Sequence, residues 1–434
     1  MRIDRLRLWN FKGFAERELT FHPQFNLIVG ENGTGKTSLL EALSIAVGSW
    51  FLGMRGYDSR HIRPADVRLV ATDTPDGVRW EDQYPTTVES TGEVMGEALT
   101  WSRALASSTG RTSYVDAKSV KERAERAQAA VKRGEDVTLP LLSYYGTGRL
   151  WNVPRETAKV RGAEKVAAGA KRSRLSGYAN SVDPRLSVSE LVAWIARESW
   201  RSFQRSGTDS LMFSQARSAM IRHIERAEDI YFDAEFGEVV MRHAGGERQP
   251  FNNLSDGQRT MLALVGDMAR KAATLNPHLG EESLIKTPGV VLIDELDLHL
   301  HPKWQRHVIE DLRTTFPAIQ FFATTHSPFL IQSLRSGDEL VMLEGQPVSS
   351  VDELSIGEIA RGIQGVEHPE VSARYEEMKA VARSYLELLD EAAGTPAEKL
   401  ERYRARLADS IAPYADNPAF QAFLEMKRAA KLGE

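Results

Sequence analysis

Short apolar runs at Phe25 to Val29, Leu139 to Tyr145, Val290 to Ile293 and Ile319 to Ala323 each stop abruptly at glycine, polar or charged residues. Runs of this length without alternation predict strands buried on both faces, as in a parallel sheet. Ligands bind beyond the carboxyl ends of such strands, so the polar residues after each run are where chemistry is expected. Elsewhere the pattern alternates. Ile3 to Trp9 and Ala15 to Phe21 predict two strands joined by the turn Asn10 to Phe14. Ile230 to Ala234 and Val239 to His243 predict another pair, followed by a hairpin turn at Ala244 to Arg248, and Val341 to Glu344 and Pro347 to Ser349 predict closing edge strands. Ser38 to Ala46 predicts a helix, as does the charged, alanine-rich Ala117 to Arg133, which Gly134 ends. Helical spacing recurs over Ser187 to Arg226, with Val188, Leu191, Val192 and Ile195 on one face. Met54 to Asp116 is rich in Gly, Pro, Thr and Asp, with short strand-like pieces such as Val67 to Thr72 alternating with turns, and reads as an irregular lobe rather than a second core.

The tail is helical. Val371, Tyr375, Met378, Ala382, Tyr385 and Leu389 stripe a helix over Glu367 to Glu391 that Gly394 can end. Thr395, Pro396 and Glu398 form a capping-box start for a second, with Leu400, Tyr403, Leu407 and Ile411 on one face. Asn417 and Pro418 start a third, carrying Phe420, Phe423 and Leu424.

Composition narrows the function classes. At 434 residues the chain holds two or three domains. A net charge of -5 argues against a coat of nucleic-acid contacts while permitting a local basic face. The segment Pro154 to Gly177, with Arg155, Lys159, Arg161, Lys165, Lys171, Arg172 and Arg174 against Glu156 and Glu164, is such a candidate. With no cysteine there are no disulfides, thiolate metal sites or cysteine nucleophiles. The N-terminus has no uninterrupted apolar run of the secretory kind, and no stretch approaches the roughly 20 apolar residues of a membrane span, so a cytoplasmic protein without membrane contact is expected.

The first run leads into Gly30 to Thr37, which fits G-x-x-x-x-G-K-[ST]. Glycines let the backbone curl until successive N–H groups face a phosphate, and the following helix adds its positive end. Gly30, Glu31, Asn32, Gly33, Thr34, Gly35, Lys36, Thr37 and Ser38 are therefore expected to hold a nucleoside triphosphate. Lys36 would neutralise the outer phosphates, with Thr37 on Mg²⁺. The third run ends in Asp294 and Glu295, which suits Mg²⁺ held by Asp294 while Glu295 polarises the attacking water. Asp297, His299 and His301 alternate like a metal cluster, but a zinc site is discounted.

Leu254 to Gln258, LSDGQ, resembles the LSGGQ signature of ABC-type ATPase heads, and the fourth run ends at Thr324, Thr325 and His326, where those heads carry a switch histidine. The order NFKGF, GENGTGKT, LSDGQR, LIDELDLHLHP, TTHSPF resembles the SMC, RecF and OLD branch of these ATPases. About 220 residues separate phosphate loop and signature, and their prolines, glycines and strands exclude a long coiled coil. The fold implied is α/β: a P-loop ABC-type ATPase head with an inserted helical lobe and a C-terminal helical tail. It is divided as residues 1–150, an inserted basic and helical lobe 151–228, 229–350, and a tail 351–434.

The resemblance implies ATP and Mg²⁺ as cofactors, catalysis by Glu295, His326 and Lys36, and Ser255 and Gly257 completing the site of a second, head-to-tail subunit. Asp297 would contact that subunit, and Asn10 and Lys12 would neighbour the base. Asp256 stands in place of the family's glycine. No glutamine occupies the Q-loop position in YYGTGRLW, leaving Thr147 and Arg149 as candidates for the switch. With YYGTGRLW and DLHLHP, nearly the whole chain is similar to the Septu family of anti-phage ATPases (PtuA) and their retron-associated relatives. That implies a homodimer or larger homo-oligomer, a separate HNH nuclease partner, and DNA or retron RNA/DNA as further partners. The tail, about 65 residues, is too small for an OLD-type nuclease domain. The alternative is a RecF-like repair ATPase clamping DNA without a nuclease; a structural clamp that hardly hydrolyses ATP is a third reading.

Overall fold

The four apolar runs become neighbours in one parallel sheet. The computed structural model describes residues 1–148, 173–184, 188–344, 351, 353–393 and 417–432. Its central sheet has the order β14-β3-β13-β12-β8, built from β3 (Phe25–Val29), β8 (Leu141–Tyr145), β12 (Gly289–Ile293), β13 (Ile319–Thr324) and β14 (Leu340–Met342). All pairings are parallel, so every carboxyl end lies along one edge. β3, β8, β12 and β13 are buried at every residue, which is why their sequences carry no alternation. The free side of β8 is covered: Tyr144 N–H donates to Ser181 O at 2.9 Å and Gly146 N–H to Pro184 O at 2.7 Å.

A second, antiparallel sheet has the order β2-β1-β6-β7, from β1 (Arg2–Phe11), β2 (Phe14–Thr20), β6 (Thr86–Val94) and β7 (Glu97–Leu105). Helix α1 (Lys36–Gly48) packs against both sheets, and Trp101 of β7 donates its indole N–H to Ala46 O at 3.0 Å. Apolar neighbours on both sides account for the nearly continuous apolar sequence of this helix. Gln320 of β13 fastens the sheets together. Its side chain accepts from Ile3 N–H at 2.8 Å and donates to Ile3 O at 2.7 Å, both buried, and to His22 O at 3.0 Å.

The expectation of an irregular lobe over Met54 to Asp116 is therefore corrected. β6 and β7 belong to the head, and only the exposed hairpin β4 (Arg68–Thr74) and β5 (Gly77–Gln83) stands outside its sheets. The inward face of β6 is Thr86, Val88, Ser90, Gly92 and Val94, alternating in burial but barely in hydrophobicity. Gly92 is required there: a Cβ would sit 2.1 Å from Arg2 O.

Helix α2 (Lys118–Arg133) ends at Gly134 in the left-handed region, as its sequence predicts. In the insert, α3 (Val188–Gln204) and α4 (Leu211–Arg222) pack on α5 (Asp256–Leu275), where Gly266 admits Met220 and Leu191 at close range. Beside them lies the antiparallel sheet β9 (Ala227–Asp233), β10 (Glu238–His243) and β11 (Arg248–Pro250). After His301 the chain forms two short helices, α6 (Pro302–Gln305) and α7 (Val308–Thr315).

The chain divides into two units, Met1–Ile359 and Ala360–Glu434. In the second, α9 (Ala373–Ala393) begins later than its stripe predicts and packs with α10 (Pro418–Leu432) through Tyr385, Leu389 and Leu424. Val371 and Tyr375 are exposed rather than part of that contact. Arg149, the basic stretch up to Arg172, Pro347 to Ser349, and Gly394 to Ile411 lie outside the described residues. No helix among the described residues is long and apolar enough to cross a membrane.

Replacing Gln320 with leucine strands the N–H and C=O of Ile3, at about 1 to 3 kcal/mol for each buried group left unpaired. The expected outcome is a clearly lowered urea midpoint for Gln320→Leu, measured by circular dichroism.

Candidate functional site

The loop Gly30 to Thr37 leaves β3 and turns into α1 through two glycines in the left-handed region, Gly33 (φ 87°) and Gly35 (φ 100°). A side chain at Gly35 would also strike the Phe14 ring, 2.7 Å from the Cβ position, so sterics and backbone angle demand glycine together. No side chain caps the N-terminus of α1, which keeps its positive end open to an anion. Lys36 folds back over the loop and donates to Gly30 O at 2.7 Å and Glu31 O at 2.8 Å. Burial lowers its pKa, against the pull of Asp294, Glu295, Asp297 and Glu344.

Asp294 is the meeting point. Its N–H donates to Tyr145 O at 2.8 Å at the end of β8. Its carboxylate accepts from Thr37 Oγ1 at 3.1 Å and from Thr324 Oγ1 at 2.6 Å. Thr324 Oγ1 in turn accepts from Glu295 N–H at 2.7 Å, so one hydroxyl orients both acids. Glu295 sits at φ 48°, a conformation costing a non-glycine residue about 1 kcal/mol, and the Thr324 bond helps hold it there. Thr324 is the functional position that residue-type reasoning missed; the threonine pair before His326 was its signal.

Beyond β13, Thr325 Oγ1 donates to Asp297 Oδ1 at 2.6 Å and accepts from Ser327 N–H at 2.9 Å. Ser327 Oγ donates to Gln305 Oε1 at 2.5 Å, and Gln305 Nε2 donates to Leu300 O at 2.7 Å, so the segment after Glu295 is fastened to the loop carrying His326. His326 itself is exposed between two buried neighbours, and Ser327 caps α8 (Pro328–Gln332). Asp297 and His301 have separate tasks: the first holds Thr325, the second caps α6 by accepting from Lys303 N–H at 3.2 Å.

Ser255 caps α5 in a reciprocal capping box with Gln258 and remains exposed. Asp256 turns its carboxylate to Arg259 on its own helix. Gly257 is buried, its Cβ position 2.6 Å from His299 O, so the signature turn packs directly on the loop after Glu295. Asn10 donates to Pro85 O at 3.1 Å, while Lys12 pairs with Glu41 of α1 and lies 3.9 Å from Asp66. Burial lowers the Lys12 pKa. Thr147 is exposed just past β8. These positions fit a nucleotide and a divalent cation: the glycine curl and open helix end suit phosphates, and the Thr37 and Asp294 oxygens suit Mg²⁺.

Two protein-family models match parts of the chain. Residues 5–195 match the model of an AAA domain, and residues 170–332 match one described as AAA domain, putative AbiEii toxin, Type IV TA system. The retron Vc95 probable ATPase of Vibrio cholerae serotype O1 biovar El Tor is 24% identical over 392 residues, covering 77% of this chain and 72% of that protein. The Septu protein PtuA of Bacillus mycoides (strain KBAB4) is 24% identical over 352 residues, covering 79% of this chain but 41% of its own length. The DNA replication and repair protein RecF of Magnetococcus marinus is 51% identical, over only 45 residues and 10% of this chain. Among solved structures, the Smc head bound to the C-winged helix domain of ScpA aligns with a TM-score of 0.45 at 15% identity, covering 80% of this chain and 95% of that one. The fold is that of a P-loop head, a parallel sheet with a phosphate loop between β3 and α1, and in sequence most of the chain is similar to the retron Vc95 probable ATPase and to a Septu protein PtuA.

Thr324→Val removes the hydroxyl that orients Asp294 and Glu295 while keeping its shape. ATP turnover is expected to fall about 10- to 100-fold, as misplacement of catalytic groups does, and phosphate release in the steady state measures it.

Proposed function

We propose that this chain is a Mg²⁺-dependent ATPase subunit of an anti-phage defence complex, working as a head-to-tail dimer that regulates or scaffolds a separate HNH-type nuclease. The observation that carries the ATPase reading is the 3.1 Å contact between Thr37 Oγ1 and Asp294, which joins phosphate loop and acidic strand end across 257 residues of sequence. Gly30 to Ser38 cradle the triphosphate, and Lys36 leaves the carbonyls of Gly30 and Glu31 for the outer phosphates. Mg²⁺, held by Thr37 and Asp294, supplies neutralisation of charge on the phosphate oxygens. Glu295, oriented through Thr324, accepts a proton from the attacking water, and His326 donates toward the γ-phosphate. Asn10 and Lys12 neighbour the base.

Ser255 stands exposed at an N-terminus that already contributes a capping box, so it is available to a second copy, and Gly257 sets the turn against the loop after Glu295. Asp256 pairs with Arg259 on its own helix, which offsets its negative charge near the phosphate of a second copy's site. The retron and Septu relatives support the defence assignment, and residues 351–434 are its candidate docking or oligomerisation element. The RecF-like alternative is supported by matches covering 10 to 19% of the chain.

Glu295→Gln keeps shape and hydrogen bonding while removing the base. Turnover is expected to fall by about 100-fold or more, with ATP retained and the dimer accumulating by native mass measurement. Equal turnover in the two proteins would leave binding alone as the mechanism. Co-purification with an HNH protein encoded beside this chain tests the defence assignment; a neighbourhood of replication genes without a nuclease would favour the repair alternative.

A further inference from the structure

The motif YYGTGRLW carries no glutamine, yet its second tyrosine touches both halves of the site. Tyr145 is the last residue of β8, and its backbone oxygen accepts the N–H of Asp294. Its phenol donates to Asp267 Oδ2 at 2.8 Å, on the helix that Ser255 caps. Lys271, one turn further along α5, lies 3.0 Å from Asp267 and donates to Ser143 Oγ of β8 at 2.9 Å. Arg270 also pairs with Asp267. Ser143 and Tyr145 are two residues apart and so share one face of β8.

Tyr145, Ser143, Asp267 and Lys271 are each at most 4% exposed. A polar group buried this deeply keeps one geometry, because any shift leaves it without partners. Burial and Asp267 hold the phenol protonated as a donor. Burial pushes the Asp267 carboxyl up, but Lys271 and Arg270 outweigh it and hold it ionised as an acceptor. The cluster therefore ties α5 to the end of β8 at two points, one of them a residue that also holds Asp294.

We propose that Tyr145 is a positioning residue that couples Asp294 to the signature helix, fixing where Ser255 is presented to a second copy of the chain. The inference rests on the composite-site reading above. Tyr145 touches no substrate; it acts through Asp294 on one side and Asp267 on the other. Binding of nucleotide to one phosphate loop thereby bears on the α5 of the same chain, which serves the opposite site.

The test compares Tyr145→Phe, Ser143→Ala and Ser255→Ala in the full chain. Phenylalanine removes one hydroxyl and leaves the Asp267–Lys271 pair intact. For Tyr145→Phe the expected result is kcat lowered about tenfold, the size of one charge-assisted hydrogen bond. Affinity for a non-hydrolysable ATP analogue should change by less than about threefold, since the phosphate loop is untouched. In the Glu295→Gln background, the same change should reduce the ATP-driven dimer. Ser143→Ala releases Lys271 from β8 and should lower kcat in the same direction with affinity kept; it decides the matter if Tyr145→Phe fails to fold. Lowered turnover in Ser255→Ala beside wild-type turnover in both β8 variants overturns the inference alone. Loss of analogue affinity in step with kcat assigns Tyr145 to the fold and also overturns it. Unchanged turnover in Ser255→Ala overturns the composite-site reading and the inference with it.

Discussion

Parallel pairing of β12 between β13 and β8 is the constraint on which the rest depends. It aligns Ile293 with Ala323 and Tyr145, so the next residues of all three strands converge. Asp294 then meets Thr324 on one side and the Tyr145 carbonyl on the other. One further strand away, β3 delivers the phosphate loop, and Thr37 closes the cluster. A slip of the β12–β13 pairing would separate Asp294 from the Thr324 hydroxyl and turn Glu295 away. Burial on both faces makes that slip costly, so the core strands protect the chemistry at their ends.

Much of this was legible in the residues. Mostly apolar runs without alternation identified the four core strands, because two-sided burial leaves room for few polar side chains, such as Asn26, Ser143 and Gln320. Gly35, Lys36, Thr37 and Asp294 could be named because phosphate and cation chemistry tolerates few substitutes. The sheet formed by β6 and β7 was not legible. Its inward face uses threonine, serine and glycine, since the backbone of β1 approaches too closely for larger side chains at Gly92. Gln320 was equally silent: a glutamine inside an apolar strand declares nothing until the groups it satisfies are placed beside it.

The same polar economy recurs at three levels. Gln320 joins sheet to sheet, Thr324 joins acid to acid, and the Tyr145 cluster joins sheet to signature helix. Each uses a side chain to complete backbone or carboxylate hydrogen bonds that regular secondary structure leaves open. Apolar packing sets the positions of these elements to within the tolerance of a core, and the buried polar contacts narrow that tolerance to what phosphoryl transfer requires.

Glu295 illustrates what such accuracy implies over longer times. Its backbone occupies a region that glycine or asparagine enters more readily. A gene released from the need to hydrolyse nucleotide would gain stability by exchanging this residue while the glycines of the phosphate loop, whose replacement brings collisions, stayed in place. Position 295 is thus where decayed copies of this ATPase would first become recognisable, still shaped to bind and no longer equipped to turn over.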